Sequence, residues 1–310
     1  MAERANGTHT AEYEVRDAEG AQPDAALCRR RTDATGTLVL IGGACTATGS
    51  ALGTFMDLAR ARDDGRIVGI TSASSDPVDS AHFWKGEFAS GGAHNVEIPI
   101  IDRRQRAHDE RVADMVRGAQ GIFLGGGDQV QLVSLLGGSC VATAIREAYN
   151  AGAVVCGTSA GAAALTETIL AYGETDENGE RRDMYMGPGL GLLGFHAMID
   201  THFAARRRLH RLFTAIGRSP ELLGLGIDED TALVVRGHLG RVVGPGGVTF
   251  VDGRSVRFDN SEDARRGSAE VTMSYLRVGI VGDGYELNLR ERELEVIVQA
   301  RDADEVTPTV

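Results

Sequence analysis

The sequence predicts an α/β protein: a mostly parallel sheet in a three-layer sandwich, helices on both faces, and an antiparallel extension along one edge. Short apolar runs of four or five residues recur along the chain, several of them ending in glycine or serine. Between them lie stretches with apolar residues at helical spacing, the pattern of doubly buried strands joined by crossover helices. After Ile199 the runs become closely spaced and are divided by glycine turns, which reads as antiparallel pairing.

Taken in order, TLVLI (Thr37 to Ile41) is a strand buried on both faces that ends in Gly42-Gly43. A helical pattern follows around Leu52 to Arg62, then the strand Arg66 to Ile70 and a serine-rich loop. A second helical stretch leads into Asn95 to Ile100. Val112, Met115 and Val116 give His108 to Ala119 its helical spacing, and GIFLGGG (Gly121 to Gly127) is a strand closed by three glycines. Thr143 to Ala151 reads as a helix and Ala153 to Cys156 as the next strand. Further on, a basic helix is expected over Ala204 to Ile216 and a strand over Leu222 to Ile227. Ala232 to Arg236, Arg241 to Val243 and Val248 to Val251 are expected to extend the same sheet. Residues 36–303 then form one domain, with a disordered tail over 1–35, which lacks periodic apolar positions, and a frayed end over 304–310.

The 310 residues carry a net charge of −12, which excludes nucleic acid as the main partner because phosphate binding needs a basic footprint. No apolar run approaches 18 residues, so no membrane-spanning segment is expected, and the first 35 residues lack the ordered parts of a secretion signal. Cys28, Cys45, Cys140 and Cys156 are far apart and form no C-x-x-C pair. They read as reduced thiols of a cytoplasmic protein. Neither a metal nor an organic cofactor is expected, since no ligand spacing such as H-E-x-x-H occurs.

The most informative run is Gly157-Thr158-Ser159-Ala160-Gly161, placed between a strand and a plausible helix. A serine on such a sharp turn needs small neighbours if its hydroxyl is to stand above the sheet edge. The N–H of Ala160, at the start of the helix, would supply half of an oxyanion hole, and the Gly125-Gly126-Gly127 loop is the natural source of the other half. Cys156 lies within the preceding strand, where a thiol is inert core rather than a nucleophile.

A serine needs a base. Of eight histidines, His202 alone follows an apolar run, GFHAMI, at the strand end where the sites of open parallel sheets collect. The carboxylate that would orient it should come from Asp228, Glu229 or Asp230, immediately after another strand, and the pattern does not choose among them.

GGGDQ (from Gly125), GTSAGA (from Gly157), DTHFAARRRLHRL (from Asp200) and GIDEDTAL (from Gly226) together resemble the cyanophycinases and their relatives among the dipeptidase E-like serine peptidases. The resemblance spans Thr37 to Val251. It implies a fold like that of class I glutamine amidotransferases, with Ser159 as nucleophile, His202 as base and Glu229 as third member, and Gly127 beside Ala160 at the oxyanion. It also implies a homodimer, and substrate contacts from Gln129, Asp200, Arg206, Arg208 and Arg211. Enzymes of this family cut cyanophycin, a poly-aspartate bearing arginine on its side chains, to β-Asp-Arg dipeptides. Four arginines against one aspartate between positions 200 and 211 agree with an acidic substrate, because guanidinium forks hold carboxylates bidentately. Asp200, or the loop Glu174 to Asp183, is expected to receive the substrate's arginine. Thr201 departs from the family, which often carries glutamine there, so other aspartyl or isoaspartyl peptides are alternative substrates. Two rivals remain: an esterase or amidase using the same turn, and a non-catalytic relative that only binds acidic peptides. The chain order Ser, His, acid counts against the first.

Overall fold

The computed structural model describes residues 36–171, 184–260 and 272–295. The expected tail 1–35, the loop Glu174 to Asp183 and the frayed end 304–310 lie outside the described residues.

The alternating part comprises β1 (Thr37–Ile41), α1 (Ser50–Leu58), β2 (Ile67–Ile70), α2 (Pro77–Ser90), β3 (Val96–Glu97), the short α3 (Arg104–Ala107), α4 (Glu110–Arg117), β4 (Gly121–Leu124), α5 (Gln129–Leu136), α6 (Cys140–Asn150), β5 (Val154–Thr158) and the five-residue α7 (Ala160–Ala164). Short polar residues start most of these helices. Asp76, Asp109, Asp128 and Ser139 accept first-turn N–H groups of α2, α4, α5 and α6, and Pro77 opens α2, where its missing N–H is not needed. The later part runs β6 (Thr168–Leu170), β7 (Met186–Pro188), β8 (Ala197–Thr201), α8 (Leu209–Arg218), β9 (Leu223–Ile227), β10 (Ala232–Arg236), β11 (Leu239–Val243), β12 (Val248–Asp252), β13 (Phe258–Asp259), β14 (Met273–Ser274), β15 (Arg277–Val281), β16 (Glu286–Asn288) and β17 (Glu293–Glu295).

Among the described residues the main sheet has nine strands. β3, β2, β4, β5 and β1 lie side by side in parallel, and β10, β11, β16 and β17 continue from β1 as antiparallel neighbours. Alternation along the strands divides the core. Val39, Ile41, Phe123 and Cys156 join Phe55, Trp84 and Phe88 on the side of α1 and α2. Leu38, Leu40, Ile122 and Val155 join α4, α5 and α6 on the other.

One expectation needs correcting. VTFV does not extend the main sheet: β12 pairs with β9, β9 with β8, and β15 closes the other edge of a separate four-stranded sheet. The LGLGI pattern of β9 explains the placement. Leu223, Leu225 and Ile227 share the core beneath the main sheet, while Gly224 and Gly226 let α8 and Phe203 approach the opposite face. The basic helix is also shorter than expected. It begins at Leu209, because Arg207 turns into the left-handed region (φ 52°) and Arg208 folds back to Asp200. Through these pairings the ends of β1, β4, β5, β8 and β9 and the start of β10 meet at one edge.

Candidate active site

At that edge Ser159 sits on the corner between β5 and α7 with φ 51° and ψ −117°, a conformation that non-glycine residues rarely adopt. The flanking glycines permit the corner. A Cβ on Gly157 would strike the backbone of Gly161 and Ala162, and one on Gly161 would strike the carbonyls of Leu124 and Gly125. His202 (φ 49°) and Asp230 (φ 46°) are also left-handed. Such strain costs about 1–3 kcal/mol per residue and clusters where a site needs it.

The Ser159 hydroxyl lies 3.0 Å from Nε2 of His202, and Nδ1 of His202 lies 2.7 Å from Oε1 of Glu229. A carboxylate only accepts, so Nδ1 carries the proton and donates it to Glu229, which leaves Nε2 of the neutral ring to accept from the serine. His202 is largely enclosed, whereas the Glu229 side chain is 44% exposed.

The three consecutive acids therefore divide their work. Glu229 meets the imidazole. Asp228 accepts from the N–H groups of Ala204 and Gly247, fastening the loop on both sides. Asp230 lies against Gly49 at the start of α1; burial pushes its carboxyl up, opposed by the N–H of Ala51.

Ser159 opens onto a polar pocket of about 200 Å³, which Gln129, Thr201, Arg206, Arg208 and Arg211 also line. Arg208 and Arg211 are buried, and Arg206 is exposed. Asp200 also lies on the wall. Its side chain is 1% exposed and accepts from Arg208 at 3.1 Å and from Arg211 at 2.8 and 3.0 Å. The chain's own guanidiniums occupy this carboxylate. Gln129 donates to the Leu170 carbonyl at 2.8 Å, which makes the end of β6 a pocket wall that sequence patterns did not reveal. Gly127 lines the pocket, Ala160 is buried at the start of α7, and Gly126 approaches the serine closely: a Cβ there would lie 3.4 Å from that of Ser159.

Among the described residues, the two thiols nearest in the fold to this corner, Cys45 and Cys156, are buried. Burial pushes Cys45 up to about 11 and Cys156 well above its usual range, so both are protonated core groups. Among the described residues no group of histidine, cysteine and acidic side chains is arranged to hold a metal ion, and no helix is long and apolar enough to cross a membrane.

A parallel sheet whose edge carries a serine on a strand-to-helix corner, hydrogen-bonded to an imidazole, has the architecture of a serine hydrolase. Residues 38–243 match peptidase family S51, and the chain belongs to that family; it is a peptidase. It is 35% identical over 235 residues to a cyanophycinase of Synechococcus elongatus, covering 75% of this chain and 72% of the relative. It is also 35% identical over 273 residues to one of Trichormus variabilis, covering 86% and 90%. Among solved structures, a peptidase from an acI-B1 actinobacterium shares the fold with a TM-score of 0.60 and 19% identity, over 83% of this chain and 98% of the other.

Proposed function

We propose that this protein is a serine exopeptidase of the cyanophycinase type, hydrolysing cyanophycin to β-Asp-Arg dipeptides through Ser159, His202 and Glu229. The observation that carries this reading is the continuous serine–imidazole–carboxylate chain, 3.0 and 2.7 Å long, opening on a pocket with two buried arginines. The 35% identity to cyanophycinases supplies the substrate class.

His202 takes the proton of Ser159 as the oxygen attacks an aspartyl carbonyl, and Glu229 stabilises the imidazolium that forms. The N–H groups of Ala160 and Gly127 receive the oxyanion, with Gly126 close enough to share the task. His202 then passes its proton to the leaving amine. Water, deprotonated by the same imidazole, repeats the attack and releases the acyl group. Arg208 and Arg211, held by Asp200, engage a substrate carboxylate bidentately; Arg206, Gln129 and Thr201 complete the walls. The enzyme is proposed to act in the cytoplasm as a homodimer.

An aspartyl or isoaspartyl dipeptidase is the second reading, favoured by Thr201, whose side chain is shorter than the family's usual glutamine. Purified protein should be offered cyanophycin beside α- and β-aspartyl peptides, with products identified by mass. β-Asp-Arg as the main product supports the first reading, and cleavage of the short peptides alone supports the second. Ser159→Ala should lower kcat by at least about 10⁴-fold while the melting temperature stays within a few degrees. Turnover that survives this change removes the serine from the mechanism.

A further inference from the structure

We infer that the tripeptide Ile41-Gly42-Gly43 is the jig that aligns Ser159, His202 and Glu229, and that Gly43 is a positioning residue for the imidazole. Three successive carbonyls at the end of β1 each hold one of the three segments. Ile41 accepts from the N–H of Ser159 at 3.0 Å, Gly42 from the N–H of His202 at 2.7 Å, and Gly43 from the N–H of Asp230, next to Glu229, at 2.9 Å. Gly42 also donates to the Thr231 carbonyl at 3.0 Å, so the acidic loop is held from two sides. The three side chains come from segments 43 and 27 residues apart, and β1 is the element common to all of them.

Gly43 adds a steric condition. Its φ is +102°, a conformation that L side chains rarely adopt, and a Cβ there would land on Nε2 and Cε1 of His202, with Cδ2 at 3.0 Å. The Nε2 end of the imidazole therefore lies against a backbone without a side chain. Nε2, the atom that faces the Ser159 hydroxyl, is the one a methyl group would displace. Backbone carbonyls fix where the three segments sit, and the bare face of Gly43 fixes where the ring lies between them. Displacement by about 1 Å in such an arrangement costs about a hundredfold in rate.

This inference rests on the proposed serine chemistry, and its test separates the two. Gly152 has a φ of +104°, and a Cβ there meets nothing within 4 Å. Gly152→Ala thus imposes the backbone penalty of Gly43→Ala without touching the imidazole. Native protein, Gly43→Ala and Gly152→Ala should be treated with a fluorophosphonate and the rate of covalent labelling of Ser159 followed by mass. Native protein and Gly152→Ala should label at equal rates, and Gly43→Ala about a hundredfold more slowly, with turnover lost in kcat and KM within about threefold. Equal labelling of Gly43→Ala, or equal slowing of both variants, overturns the positioning role. Failure of the native protein to label overturns the serine chemistry instead.

A double-mutant cycle in thermal stability keeps the claim open to refutation even where Gly43→Ala folds poorly. In the His202→Ala background the collision is gone, so Gly43→Ala should lower the melting temperature no more than Gly152→Ala does. An undiminished loss in that background shows that the imidazole is not what Gly43 accommodates.

Discussion

The second sheet builds a similar charge cluster at each of its two ends, and the one at Asp200 faces the pocket beside Ser159. Asp200, near the end of β8, is gripped by Arg208 and Arg211; Asp252, at the end of β12, is gripped by Arg254 and Arg292. On β9 their pairing partners are Gly226 and Leu223, at opposite ends of the strand. At the first cluster both arginines are buried, and both line the cavity that opens from Ser159. At the second, Arg292 reaches past the aspartate to the Glu221 carbonyl, and Arg254 stands half in solvent. Buried arginine–aspartate groups are thus a general device of this chain for fastening strand ends. What sets one of them apart is its placement beside the Ser159 hydroxyl, where the proposed function gives it a substrate carboxylate to hold.

The difference can be broken experimentally, beginning with the largest effect. Arg292→Ala should destabilise the fold by about 3–5 kcal/mol, because it removes two charge-assisted hydrogen bonds, to the buried Asp252 carboxylate and to the Glu221 carbonyl, each worth about 1.5–3 kcal/mol. Urea unfolding would measure this, while kcat/KM per folded molecule should stay unchanged; a fall in activity would make the far cluster part of the site. Arg208→Ala should raise KM for aspartyl substrates by about a hundredfold with little change in kcat, in line with truncation of a buried charge partner. An unchanged KM in steady-state assays would reduce the near cluster to a second fastening.

The smallest effect concerns pH. Burial alone would raise the Asp252 carboxyl, but hydrogen bonds from Arg254 and Arg292 outweigh it and hold the group below its ordinary range. A carboxyl whose folded pKa is lowered stabilises fully above its unfolded value of about 3.9, and that contribution is lost as pH falls through the folded value. The stability gap between native protein and Asp252→Asn should therefore be steady near neutral pH and shrink below about pH 4. A gap that widened on acidification would reverse the sign of this assignment.

Much of the candidate site's backbone was legible in the sequence because it is encoded locally. GTSAG names its own backbone, since Gly157 and Gly161 are small for reasons of direct contact, and His202 stands at the end of an apolar run. Sheet membership was not legible for β8, β9 and β12. Their apolar runs match those of the main strands, and pairing is decided by distant residues that periodicity does not register. The choice among Asp228, Glu229 and Asp230 was also hidden, because it depends on backbone turns and on where Gly43, Gly247 and α1 lie. The partners of Asp200 were hidden for a related reason. A run of charges shows sign and spacing, but not which partners have already met.

Two left-handed residues, Ser159 and His202, meet at the hydroxyl, each in a posture the polypeptide would not choose for itself. Mutational drift toward glycine at either would relax the fold and remove a member of the proposed triad, so selection for sturdiness and selection for turnover would pull these positions in opposite directions. The sturdiest descendants of this chain would be those that had given up its chemistry.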